Sequence, residues 1–432
     1  MAEIFTPECS VSPLPGEFRP AGGCKTPNFW SAAYSLFCLL QNSAMGYTAT
    51  ERQISSHFRE GLAEGVIPGT GVTVSVRRFS SAVDSSLRDG QNVPGLFRSL
   101  FRSREVEESN REFSYYILSP GGDSSKPCDG SGAIILLHGL NERNWSKYIQ
   151  WGVSLADRTG RPVVLFPLAY HMNRSPRSWI DRHIMMPLVS ARQALMPDAR
   201  LSTFVNVALS TRMTASPQRF MLSGYQTARD LTALIRSMRE GSIPGIAAGG
   251  RTDFFTYSIG ALLIQVMMLS DTALLPDDSR IMLFCGGSAF SMMNGTSKLI
   301  MDSRAFEMLL SFYIGWPESI MNGGRKRLTR LMNDTPEGRA FFAMTTLQRL
   351  ENLRGRPFNR YDGRLKAVTF ESDTVIPAKA VMETLSGADT EVWDPGYPCT
   401  HESPFPVLAG ANEIKVDRTF DRLFDTAARF FA

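Results

Sequence analysis

The stretch Asp253-Phe254-Phe255-Thr256-Tyr257-Ser258-Ile259-Gly260-Ala261-Leu262-Leu263 decides the fold. A serine stands between an apolar segment and a long apolar helical one, with a glycine two places on. That spacing predicts a sharp strand-to-helix turn that lifts a hydroxyl off the top of a sheet. Only small flanking side chains let the backbone cross so tightly. The usual pattern is G-x-S-x-G. Here Thr256 takes the place of the first glycine, and its β-branch crowds the turn. A serine at this point also reads as the N-cap of the helix that follows, so the string draws its meaning from the rest of the chain.

Upstream lies Gly132-Ala133-Ile134-Ile135-Leu136-Leu137-His138-Gly139-Leu140-Asn141. The unbroken apolar run predicts a parallel strand buried on both faces. It ends in His-Gly. A glycine directly after a central strand lets the chain turn so that the next amide points into a site, where backbone N–H groups can hold a developing oxyanion. Leu140 would supply one such amide and Ile259 the other. Gly139 reads equally as an ordinary strand-end turn. His138 reads as a structural member of this loop, not as a base or metal ligand.

Downstream, Leu365-Lys366-Ala367-Val368-Thr369-Phe370 predicts a strand that runs into Glu371-Ser372-Asp373 before Val375-Ile376-Pro377 opens a helix. An acid at a strand end suits an orienting carboxylate. Asp373 is the first choice, Glu371 and Asp394 are rivals, and a helix N-cap is the other use of the same position. A last strand, Thr390–Asp394, leads to a loop with His401. The chain has five histidines, and only His401 sits in a loop after a strand that itself follows the acid. A neutral imidazole is a natural base for a serine hydroxyl.

The order Ser258, Asp373, His401, with His138-Gly139 upstream, resembles the α/β-hydrolase fold superfamily over about residues 111 to 432. The stretches His-Gly-Leu-Asn-Glu and Tyr-Ser-Ile-Gly-Ala are similar to those of uncharacterised bacterial members. The resemblance implies a mostly parallel central sheet with helices on both faces. It implies Ser258 as nucleophile, Asp373 as acid, His401 as base, and Leu140 and Ile259 as the oxyanion loop. Asn141, Tyr257 and His171 are expected to touch substrate, and Arg174 or Arg177 to hold a substrate carboxylate. The implied activity is a serine hydrolase that cleaves a small-molecule carboxylic ester through an acyl-enzyme, without cofactor or metal. Peptide, thioester or lactone cleavage on the same triad stays open, as does an inactive binding protein that keeps the fold.

Composition sets bounds. Hydrophobic residues make up 43% of 432 and charged residues 20%, which is globular. A net charge of +4 with no basic block interleaved with aromatics argues against a nucleic-acid partner. Six cysteines without a CxxC pair read as free thiols in a reducing compartment. The N-terminus lacks the basic and apolar regions of a secretory signal, so a cytoplasmic location is expected. Phe29–Tyr47 is broken by serines and amides, which predicts a packed helix and disfavours membrane-surface contact. Residues 1–110 read as an extension or small cap, with helices near 29–42 and 47–63 and a strand at Gly71–Arg77. Two excursions, about 171–217 and 289–360, interrupt the alternation of strands and helices. The second is rich in Met and Phe and predicts a helical lid over an apolar pocket.

Overall fold

The computed structural model describes residues 46–51, 64–82, 104–121, 132–270, 275–315, 326–354 and 358–432. All belong to one unit, Gly46–Ala432. The expected helix at 29–42 and most of that at 47–63 lie outside the described residues, as do four of the six cysteines. Cys285 and Cys399 are free thiols.

Nine strands form one sheet: β1 (Gly65–Val66), β2 (Thr73–Ser80), β3 (Glu112–Ser119), β4 (Ala133–Leu137), β5 (Val163–Leu165), β6 (Thr252–Tyr257), β7 (Ile281–Phe284), β8 (Leu365–Phe370) and β9 (Asp389–Trp393). Their spatial order is β1-β2-β3-β5-β4-β6-β7-β8-β9. From β5 through β9 every pairing is parallel, and β3 runs antiparallel to both its neighbours. This is the α/β-hydrolase arrangement. It extends further back than the sequence suggested. β2 pairs with β3 along its whole length, from Thr73 opposite Ser119 to Ser80 opposite Glu112. Residues 65–80, read as part of a separate extension or cap, are therefore strands of the central sheet. An isolated eight-residue alternating segment carries no sign of which sheet it joins, since pairing is set by tertiary contacts.

The apolar runs are buried on both faces, as a parallel sheet requires. Ile135, Leu137, Val164, Phe254 and Leu283 enter one core cluster, while Ile134, Leu136, Val163, Phe255 and Phe284 enter the other. Helix Ile259–Leu269 and helix Arg219–Arg239 cover the first face. Helix Ser146–Thr159 and the C-terminal helix Ala411–Phe431 cover the second, with Trp151 set against Phe424. Asp253 is buried at the N-terminal half of β6. It accepts from Arg161, from Arg251 and from the Arg280 amide, which fixes that end of three neighbouring segments. Among the described residues no helix is long and apolar enough to cross a membrane.

Both excursions are helical. The first carries Arg182–Leu195 and Val207–Ala215, and the second Ser303–Ile314, Lys326–Asp334, Pro336–Ala343 and Leu347–Arg354. A buried ion pair rivets them together. Arg192 donates from Nε and Nη2 to Asp302 at 2.6 and 2.9 Å, and Ser202 Oγ donates to the same carboxylate at 2.6 Å. Asp302 also caps its own helix by accepting from the Ala305 amide. The two insertions thus form one cover.

The turn at the end of β6 depends on Gly260. A Cβ there would lie 2.8 Å from Leu137 Cβ and 3.0 and 3.1 Å from the Leu137 and His138 carbonyl oxygens. Gly224, in helix Arg219–Arg239, has nothing within 4 Å of its missing Cβ. In urea or thermal denaturation, Gly260→Ala is expected to cost about 1–3 kcal/mol, whereas Gly224→Ala is expected to gain about 0.5–1 kcal/mol. Equal stability of the two variants would rule out the close approach.

Candidate active site

Ser258 sits between β6 and helix Ile259–Leu269 at φ 56° and ψ −116°, backbone that L-residues rarely adopt. Thr256 fits into the crowded elbow because its hydroxyl finds an acceptor: Oγ1 donates to the Met282 carbonyl at 3.2 Å. Gly286 packs beneath, where an added Cβ would come within 3.1 Å of the Ser258 carbonyl oxygen. The strained turn is therefore gripped from both neighbouring strand ends.

Three side chains far apart in sequence meet above the sheet. Ser258 Oγ lies 2.7 Å from His401 Nε2, and His401 Nδ1 lies 2.7 Å from Asp373 Oδ2. The other carboxylate oxygen of Asp373 accepts from the Val375 and Ile376 amides, each at 2.9 Å. One aspartate thus fills both roles that the sequence left open, capping the turn and facing the imidazole. Glu371 is exposed, and Asp394 accepts from the Gly396 amide. Neither carboxylate meets the imidazole.

Tyr257 was expected to touch substrate. The structure instead buries it beneath the imidazole: its ring stacks on His401 at 5.5 Å and 16°, and its hydroxyl donates to the His401 carbonyl. Burial pushes its phenol well above the usual range. Asn141, also expected at the substrate, lines the smaller cavity described below, and its side chain is bonded within the protein. Its amide donates to the Val205 and Leu299 carbonyls at 3.1 and 2.7 Å, and its oxygen accepts from Arg143. Asn141 adopts φ 63° and joins the loop after β4 to both insertions.

The loop after β4 is fixed atom by atom. The Leu168 amide donates to His138 Nε2 at 3.0 Å, so that nitrogen carries the lone pair. Nδ1–H therefore donates to the Gly139 carbonyl at 2.8 Å. Because a trans peptide points its C=O and N–H in opposite directions, holding the Gly139 carbonyl against the ring turns the Leu140 amide away from it. The Gly139 amide donates to Tyr148 Oη, and Tyr148 Oη donates to Glu142. Lys147 Nζ donates to Glu142 and to the Glu402 carbonyl, bridging this loop to the one that carries His401. Sequence reading missed Tyr148 and Lys147, since nothing in a helix-forming stretch marks which face meets a distant loop. The Ile259 amide is the first of its helix, one of the four a helix leaves without an internal acceptor.

A largely apolar cavity, with about 680 Å³ unfilled by atoms and partly continuous with solvent, ends at this elbow. Leu140, Ile259, Leu262, Phe220, Met221 and Phe341 line it. His171 borders both this cavity and a smaller adjoining one. The carboxylate-binding expectation for Arg174 and Arg177 is overturned. Arg174 is fully buried and donates to Asp230 at 2.9 Å, while Arg177 is exposed and lines neither cavity. Among the described residues no group of three His, Cys, Asp or Glu is placed to hold a metal ion.

His171 donates from Nδ1 to the Ala169 carbonyl at 2.9 Å. Burial, then the charges of Arg143, Arg174 and Arg212, push its imidazole down to about 3. A folded-state value below the unfolded one near 6.5 means that the unfolded chain binds the extra proton between those two values. Stability therefore falls as pH drops through that window. His171→Gln is expected to remove about 2 kcal/mol of the stability lost between pH 6.5 and 4.5. Urea denaturation at the two pH values checks this, and an unchanged loss would contradict it.

The sequence profile of the Family of unknown function (DUF6051) matches residues 45–432, and the chain belongs to that family. No curated protein sequence matches it. Among solved structures, a thermostable esterase from Pseudomonas putida is similar at TM-score 0.44 and 10% identity, over 95% of this chain and 99% of that one. A bacterial heroin esterase is similar at 0.43 and 12%, over 93% and 96%. Carboxyl esterase 2 from Tuber melanosporum is similar at 0.40 and 12%, over 88% and 97%. None is close enough to carry a substrate over to this chain.

Proposed function

We propose that this DUF6051 member is a serine hydrolase that cleaves a carboxylic ester through an acyl-enzyme. The observation that carries the reading is the continuous hydrogen-bonded chain from Ser258 through His401 to Asp373, at 2.7 Å on each side. His401 Nε2 takes the hydroxyl proton as Ser258 Oγ attacks the ester carbonyl. Asp373 holds the Nδ1 proton and stabilises the imidazolium. The Leu140 and Ile259 amides donate to the oxyanion. Collapse breaks the bond to the alcohol oxygen, which leaves with the proton from His401. Water, losing a proton to His401, then attacks the acyl-enzyme, and the acid departs as Ser258 regains its proton.

The apolar cavity supports an acyl or alkyl group as the part that seats beside the elbow. Its walls include Glu337, Gly338 and Phe341 of the second insertion and helix Arg219–Arg239, with His171 alone from the first, so the second insertion serves as the lid of this reading. Of the Met- and Phe-rich second insertion, Phe341 lines the space, while Phe220 and Met221 come from helix Arg219–Arg239. Met301, Phe306 and Met332 are buried in the core cluster on the sheet face covered by helix Ile259–Leu269.

A fluorophosphonate probe is expected to label the wild-type chain at one serine and to leave Ser258→Ala unlabelled. With 4-nitrophenyl esters, Asp373→Asn is expected to lower kcat by about three to four orders of magnitude, because the wrong tautomer then faces Ser258. Faster turnover of aminoacyl amides than of esters would move the reading to a peptidase. Absence of labelling would remove the enzyme reading altogether.

A further inference from the structure

The smaller cavity beside the elbow is lined by Arg143, Tyr170, His171, Trp179, Arg212 and Arg219, together with Leu140 and Phe220, which it shares with the apolar cavity. Among the described residues no Asp or Glu lines it. Arg212 is 3% exposed, and its Nη1 has no hydrogen-bond partner among the described residues. Its guanidinium stacks over the Tyr170 ring at 4.3 Å and the Trp179 ring at 4.7 Å. Arg143 lies over the same indole at 5.7 Å, and its Nε also lacks a partner. Trp179 thus touches both guanidinium groups.

The other buried arginines show what is missing. Arg161 has Asp253, Arg174 has Asp230 and Arg192 has Asp302, each within 3 Å. A desolvated cation is costly unless paired, and the fold supplies a carboxylate in those three cases. The charge of Arg219 disfavours the Arg212 cation and that of Glu107 favours it. Arg143 feels Glu142, but that carboxylate is taken by Lys147 and Tyr148. Burial and Arg219 bring Arg212 down to about 9, and burial brings Arg143 down to about 10, so both stay charged near neutral pH. Tyr170, in the cavity wall, adopts φ 66°, strain of a kind that collects at binding sites.

We propose that this cavity is a carboxylate subsite: the ester cleaved at Ser258 carries a free carboxylate that seats against Arg143 and Arg212. The inference rests on the hydrolase reading for the word ester, and on the cavity alone for the carboxylate. Guanidinium presents a planar fork that matches a carboxylate. The shared wall at Leu140 places the anion on one side of the proposed oxyanion loop, with the apolar cavity on the other. The subsite would therefore select acyl groups that end in a carboxylate, or alcohols that bear one.

Two measurements on the full chain test it. First, calorimetry on Ser258→Ala is run with α,ω-dicarboxylates from adipate to sebacate, with the matching diols as uncharged controls. At least one dicarboxylate is expected to bind and its diol not to. Arg212→Gln, and separately the less buried Arg143→Gln, are each expected to weaken that binding about tenfold or more. Second, 4-nitrophenyl half-esters of the same diacids are compared in wild type with their neutral methyl diesters. The half-ester is expected to win in kcat/KM at one chain length or more, with the ratio falling about tenfold in either arginine variant. If neutral esters are hydrolysed but no dicarboxylate binds, the subsite is overturned and the hydrolase reading stands. If dicarboxylates bind Arg-dependently but no ester is hydrolysed, the subsite stands and the hydrolase reading falls. Binding that both arginine variants leave unchanged overturns the subsite too.

Discussion

The imidazole of His401 is held from every side, and the site is built around that constraint. Asp373 takes one ring nitrogen and Ser258 faces the other. The Tyr257 ring lies flat against the imidazole, and its hydroxyl holds the carbonyl of the same residue. Each partner is anchored to a different part of the sheet. Asp373 follows β8 and is fixed by two amides, Ser258 and Tyr257 end β6, and the histidine loop is pinned through Glu402 to Lys147 on the opposite helix layer. A loop histidine that would otherwise sample many positions is reduced to one. Because the anchors reach across four strands and both helix layers, the geometry of the site is inseparable from the register of the sheet.

That register explains which parts of the molecule were legible beforehand. β4, β6 and β8 are short apolar runs that end in a glycine, a serine with a glycine two places on, and an acid. A strand buried on both faces followed by chemistry-bearing residues announces both its structure and its position in the sheet. Ser258, Asp373 and His401 could therefore be nominated from order alone. β2 could not be placed, because its alternating valines look the same whether they join this sheet or another. Of the expected substrate contacts, His171 and Asn141 line a cavity and Tyr257 lines neither. Adjacency in a strand sends neighbouring side chains to opposite faces, and Tyr257 accordingly points under the site. Asn141 is consumed by two carbonyls from insertions that sequence could not dock.

The arginines teach the same lesson from the other direction. Three of the buried arginines pair with buried aspartates far away in the chain, with no local signal of that pairing. Only the folded molecule shows that Arg174 belongs to Asp230 and that Arg212 has no aspartate of its own. Charge left unpaired inside a protein is informative because folding disfavours it. The first insertion brings Arg212 and Trp179 to the loop after β4, and the second, riveted to it by Arg192 and Asp302, walls the apolar cavity through Glu337, Gly338 and Phe341. One cover thus shapes both halves of the space beside Ser258, one greasy and one cationic.

The central claim is the hydrogen bond between Asp373 and His401 in a water-poor site. Proton NMR of the full chain reads it directly, since an Nδ1 proton held in such a bond exchanges slowly and resonates far downfield of the amide region. The account predicts one such resonance in wild type, absent from His401→Gln and from Asp373→Ala, and shifted when a fluorophosphonate occupies Ser258. A spectrum with no downfield imidazole proton, or one that survives Asp373→Ala unchanged, would contradict it.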